Sequence, residues 1–277
     1  METIDRRKHY VLMLDTETAN TIEEVIAAVV GEDGTIIEPE KKKMDMSNVL
    51  VYDIGWAVVD VHGGLYETAS YVNREIFNDE RDLMRSAYYG WKIPRYVEDL
   101  RAGRRKMASW WEIREALLDV LQQYGITEIV AHNARFDHNA INTTQRYLTA
   151  SKYRYFFPFR SVVFWDTMKM ADDVIVPMPS YIAFCEENGY IVRPGKPRKT
   201  AEILYRFISG DNEFEESHTG LEDVMIEAQI LWYCFRQHKP MRKLLFENPK
   251  EWPQATPFQM AMLHNIKENP TINGRWA

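Results

Sequence analysis

Apolar positions along this chain fall into stretches of two different periods, and each change of period marks an element. Residues 10–18, YVLMLDTET, are a continuous apolar run ending in acids, the pattern of a strand covered on both faces of an α/β sheet. Residues 49–61, VLVYDIGWAVVDV, and 65–73, LYETASYVN, are β-branched and aromatic, and His62-Gly63-Gly64 between them predicts a hairpin. Ser109-Trp110-Trp111-Glu112 fits a capping box. Ile113, Leu117, Val120, Leu121 and Tyr124 then recur at helical spacing as far as Gly125, a C-terminal stop. Residues 126–131 predict a short buried strand, which runs into His132-Asn133-Ala134-Arg135-Phe136-Asp137 and a helix beyond. Thr219-Gly220-Leu221-Glu222 fits a second capping box, and its helix carries Leu221, Val224, Met225, Ala228, Leu231 and Phe235 on one side. Strands first, then alternating helix and strand, predict an α/β fold: a mixed β-sheet flanked by helices.

Composition changes this picture little. The 277 residues are 45% hydrophobic and 27% charged, and the 13% of aromatic residues places large rings in the core. Two cysteines, Cys185 and Cys234, give neither a disulfide framework nor a zinc site. The N-terminus METIDRRKHYVLMLD has no signal-peptide pattern and no apolar run has bilayer length, so the expectation is a cytoplasmic protein away from membranes.

The candidate chemistry is acidic. Asp15 and Glu17 stand two apart in a strand, so both carboxylates project from one face at the sheet edge, as oxygen donors that suit Mg²⁺ or Mn²⁺. Asp137 opens a helix, where the plain role of an acid is to complement the helix N-terminus. His218 lies just outside the last helix and Asp223 at the end of its first turn, an arrangement that suits a general base beside a fixed carboxylate. Each piece alone has a structural explanation, as a solvated strand end, a helix cap or a surface histidine.

In order and context, DTET after a buried strand, HNARFD after another, and HTGLED opening an amphipathic helix resemble the three motifs of the DnaQ/RNase T exonuclease superfamily. His218, five residues before Asp223, matches its DEDDh subclass; the subclass with Tyr four residues before the last Asp does not fit, since Thr219 stands there. The resemblance covers roughly residues 8–73 and 109–238. It implies a ribonuclease H-like fold and a 3′→5′ exonuclease releasing nucleoside 5′-monophosphates with two divalent ions. By resemblance Asp15, Glu17, Asp137 and Asp223 are the metal ligands, Asp15 bridging both ions, and His218 takes a proton from the attacking water. The expected layout is an exonuclease domain over 1–240, with 21–47 and 74–108 as insertions and 241–277 as an irregular tail with one short helix.

The net charge of −7 excludes broad coating of nucleic acid but not a nuclease, because metal-loaded carboxylates become positive sites. Thr18 and Asn133 are candidates to contact a terminal nucleotide. Residues 85–111 interleave cations, Arg104 and Arg105 among them, with Tyr88, Tyr89, Trp91, Tyr96, Trp110 and Trp111, the combination a single-strand channel uses. The basic loop 193–199 lacks the spacing of a phosphate-binding loop. Asp166 reads as a helix cap, and His132 and His138 have no assigned role. The expected substrate is the single-stranded or frayed 3′ end of DNA. An exoribonuclease acting on RNA and a noncatalytic nucleic-acid-binding module are the alternatives, and a replication or repair partner is left open.

Overall fold

The computed structural model describes residues 4–5, 7–20, 22–27, 29–30, 35–38, 41–44, 49–151, 154–158 and 161–247. Strands β1 (Tyr10–Ala19), β6 (Leu50–Asp60), β7 (Leu65–Asn73), β8 (Lys106–Ala108), β9 (Glu128–Ala131) and β10 (Val163–Asp166) form the main sheet in the order β10-β9-β1-β6-β7-β8. β1 runs antiparallel to β6 and parallel to β9, β9 and β10 are parallel, and β6 and β7 are the expected hairpin. Within 21–47, β2 (Ile22–Ile26) pairs with β5 (Lys41–Met44) and β3 (Val29–Val30) with β4 (Ile36–Glu38). β11 (Ile191–Arg193) and β12 (Lys196–Pro197) form a small separate hairpin in the basic loop.

Helices α1 (Arg81–Ser86), α2 (Ile93–Arg101), α3 (Trp110–Tyr124), α4 (Arg135–Leu148), α5 (Thr167–Val174), α6 (Pro179–Glu187), α7 (Ala201–Ser209) and α8 (Gly220–Arg236) surround the sheet. The alternation of strand side chains sorts them into two layers. Tyr10, Leu12 and Leu14 of β1 share a core with Ile113 and Leu117 of α3 and Ala140 and Ile141 of α4. Val11 and Met13 face the opposite way, into a core with Met170 of α5, Leu204 of α7 and Val224 and Leu231 of α8. Both faces are covered, which is why β1 is apolar at consecutive positions. No described helix is long and apolar enough to cross a membrane.

Ser109 makes the expected capping box with Glu112, and Gly125 ends α3 with φ +67°. The second capping box is corrected by the structure. The Thr219 hydroxyl donates to the Glu222 carboxylate at 2.7 Å and caps no backbone N–H. The α8 N-terminus is satisfied from the sheet instead, the Gly220 N–H donating to Asp53 Oδ2 of β6 at 2.9 Å. Residues 74–108 hold α1, α2 and β8, and β8 extends the main sheet as its edge strand. The tail begins on the core: Leu245 and Phe246 are buried, and Leu244 bridges Trp165 of β10. Its expected short helix lies outside the described residues.

Gly55 and Gly220 let α8 meet the sheet backbone to backbone. A Cβ on Gly55 would stand 2.2 Å from Leu221 N and 2.3 Å from the Gly220 carbonyl carbon, both rigid main-chain atoms. Gly55→Ala is therefore expected to cost about 3 kcal/mol or more, read as a lowered urea midpoint. A change under about 0.5 kcal/mol would show that α8 can withdraw from β6 freely.

Candidate active site

The parity that places Val11 and Met13 on the α8 face puts Asp15 and Glu17 there too. Thr16 points the other way, toward α4, where its N–H and hydroxyl donate to Asp137 Oδ1 at 3.1 and 2.8 Å. Asp223, in the first turn of α8, comes down on the same end of β1 through the Gly55–Gly220 approach. His218 precedes the helix with φ +49°. One ligand atom from each of Glu17, His218 and Asp223 lies within 4.8 Å of the others.

These residues line one cavity of about 300 Å³, together with Thr18, Asn20, Tyr88, Tyr89, Asn133, Phe136, Glu216 and Glu227. Every acid proposed from sequence is thus brought together, and Thr18 and Asn133 join them. Arg104 and Arg105 do not. Arg105 is buried, its guanidinium bound to Asp53 at 3.1 Å, Asp99 at 3.1 Å and Glu222 at 2.8 Å, so it ties β6, α2 and α8 and does not line the cavity. Arg104 pairs with Asp99 and Glu98, away from the cavity. Of the aromatic run, Tyr96 and Trp110 are core while Trp91 is 73% exposed. Asp166 caps α5 at Met168 N as expected. The ring of His132 is held at both nitrogens, 2.9 Å from Thr167 Oγ1 and 2.9 Å from the Lys199 carbonyl, which makes it a structural tie.

Two acids were not singled out from sequence. Glu227, buried on α8, accepts from His132 N at 3.2 Å and faces Asp15 and Asp137. Its signal was present: it stands four residues after Asp223, on the same helix face. Glu216 lies 3.8 Å from His218 Nδ1.

Burial dominates the electrostatics. It raises Asp15 well above the carboxylate range, and the charges of Glu227, Asp137 and Asp223 raise it further. Burial also lifts Asp137 to about 7, against the Thr16 hydrogen bonds, and Asp223 to about 8, with Glu216 adding repulsion. Lys92 opposes the rise at Glu17 and Asp223 but does not cancel it. Crowded, desolvated carboxylates are a donor set that fits hard divalent cations such as Mg²⁺ or Mn²⁺.

A pH dependence follows with a definite sign. Asp137 and Asp223 bind protons more tightly folded than unfolded, so their contribution to stability is full below pH ~4 and is lost as pH rises through about 7 and about 8. Chelator-treated protein should lose on the order of a few kcal/mol between pH 5 and 8, and saturating Mn²⁺ should restore it. Thermal melts across that range check this, and a cation-free stability that rises with pH would contradict it.

No family model and no curated protein sequence matches the chain. Solved structures do. One described as a full-length 3′-exonuclease aligns with TM-score 0.52 at 13% identity, over 90% of this chain and 95% of that one. Cell-death related nuclease 4 aligns with TM-score 0.50 at 11% identity, over 92% of this chain and 77% of its own. The mixed six-stranded sheet with helices on both faces is therefore a ribonuclease H-like fold, shared with these two solved structures.

Proposed function

We propose that this chain, built on the ribonuclease H-like exonuclease fold, is a metal-dependent 3′→5′ exonuclease that releases nucleoside 5′-monophosphates from single-stranded or frayed DNA ends. The observation that carries the reading is the convergence of Asp15, Glu17, Asp137 and Asp223 from β1, α4 and α8 on one cavity with His218 at its edge. Its volume, about 300 Å³, falls at the lower end of small-ligand sites, which suits one terminal nucleotide.

Two divalent cations, Mg²⁺ or Mn²⁺, held by those four carboxylates would supply an activated water and stabilise charge on the attacking and leaving oxygens. The chain's own groups do the rest. His218 takes the proton of the water: burial and the nearby Lys92 charge disfavour its imidazolium, so the ring is kept neutral and able to accept. Thr18 and Asn133 line the cavity where a terminal sugar and base would sit. Tyr88, 40% exposed at the rim, offers a face for stacking.

The test uses 5′-labelled single-stranded DNA and RNA of one sequence with Mg²⁺, Mn²⁺ or EDTA. The expected result is a cation-dependent ladder shortening from the 3′ end, stronger on DNA. A stronger ladder on RNA would make the chain an exoribonuclease. Strands that bind but stay intact would sink the enzymatic reading in favour of a noncatalytic binding module.

A further inference from the structure

Lys92 belongs to the 74–108 segment, outside the three motifs, yet its ammonium packs against the main chain that carries His218. The residue is 3% exposed, at the end of a short 3-10 turn (Gly90–Lys92) leading into α2. Its Nζ donates to the carbonyls of Ser217 at 3.1 Å and His218 at 2.6 Å. It also stands 4.1 Å over the ring of Tyr89. That ring is stacked on the His218 imidazole, centroids 5.3 Å apart and planes 29° from parallel.

A left-handed backbone at a non-glycine residue persists only where its surroundings hold it. His218 has φ +49°, and its side chain, 41% exposed, takes no hydrogen bond from a neighbouring helix or strand among those described. The Lys92 ammonium clasps the main chain on both sides of that strained position, while Tyr89 holds the ring. Burying an ammonium is costly, and burial pushes the Lys92 pKa down; its two carbonyl acceptors and the neighbouring Glu17 and Asp223 offset that cost in part.

We infer that Lys92 is a positioning residue, which with Tyr89 fixes the loop and ring orientation of His218 so that the imidazole addresses the water at Glu17 and Asp223. This rests on the exonuclease reading for its kinetic part only. The catalytic group remains His218; Lys92 acts through it.

Lys92→Met keeps the stem length and removes the donors. It is expected to lower kcat about 10–100-fold, the scale of a misplaced reacting group, and to leave KM within about threefold. Diethyl pyrocarbonate labelling, read peptide by peptide with mass spectrometry, supplies a measure independent of turnover. His218 should label several-fold faster in the variant, against the exposed His62 as internal reference. A kcat within twofold of wild type, a loss carried in KM, or an unchanged His218 labelling ratio would each overturn the inference. If Lys92→Met does not fold, Lys92→Gln, which keeps a polar end but is too short for both carbonyls, is read by the same criteria. Should the wild type cut neither strand, the exonuclease reading falls, and the His218 labelling ratio still decides the role of Lys92.

Discussion

Asp15→Asn is expected to abolish strand cleavage and, in the same protein, to raise the melting temperature measured in EDTA. Asp15 is half-buried, and its charged neighbours among the described residues, Glu227, Asp137, Asp223 and Glu17, are all acidic. Burial and repulsion together make Asp15 take up a proton on folding that the unfolded chain releases, so a neutral side chain of the same shape relieves a standing cost. The gain should be about 1–3 kcal/mol, or roughly 3–10 °C in a chain of this size. Activity needs the carboxylate that a bound cation would favour, since a neutral amide is a poor ligand for a hard cation. The order of stabilities should then invert with Mn²⁺, because the wild type gains about 4.1 kcal/mol at a thousandfold excess over Kd and the variant gains little. Differential melts with and without Mn²⁺, beside the strand assay, decide the matter. A variant that still produces a 3′ ladder, or that melts lower than wild type in EDTA, would remove Asp15 from the proposed metal site.

His218→Ala should lower kcat about 10²–10⁴-fold while leaving the Mn²⁺-induced rise in melting temperature intact. The two readouts separate two roles for one ring. Because a His218 nitrogen lies within 4.8 Å of ligand atoms on Glu17 and Asp223, the imidazole could in geometry serve as a ligand as well as a base. A ligand's loss would shrink the Mn²⁺ shift along with the rate; a base's loss would touch the rate alone. The pH profile carries the same information. Burial and Lys92 push the His218 pKa down, so the neutral base is present at lower pH than for a free imidazole of about 6.5. The wild-type rate should already be on its plateau near pH 6.5, and the residual rate of the alanine variant should climb with hydroxide above it. A wild-type profile still rising steeply above pH 7.5 would argue against His218 as the base.

How much was legible depends on whether the information lay in local pattern or in contact. The covered strand β1, the β6–β7 hairpin and the α3 capping box follow from periodicity and turn chemistry, which act between residues a few positions apart. The side-by-side projection of Asp15 and Glu17 follows from the two-residue repeat of a strand. Asp137, His218 and Asp223 could be named because three short motifs occur in order, and Glu227 could have been, at one helical turn from Asp223.

Contact decided the rest. Arg105 sits in a basic and aromatic stretch whose pattern suits a strand-binding surface, but Asp53, Asp99 and Glu222 close around it from three elements far apart in sequence. A guanidinium buried among three carboxylates is turned to the fold and not to the cavity. Thr219 and Glu222 match a capping box, yet Asp53 reaches the α8 N-terminus first, because Gly55 and Gly220 bring β6 against the helix. Lys92 carries no motif at all. The sequence by itself determined β1, the β6–β7 hairpin and α3, which depend on neighbours along the chain, and the order of its motifs pointed to Asp15, Glu17, Asp137 and Asp223. Only the tertiary structure decided which cations face those acids and which are spent elsewhere, because charge pairing is set by distances that folding creates.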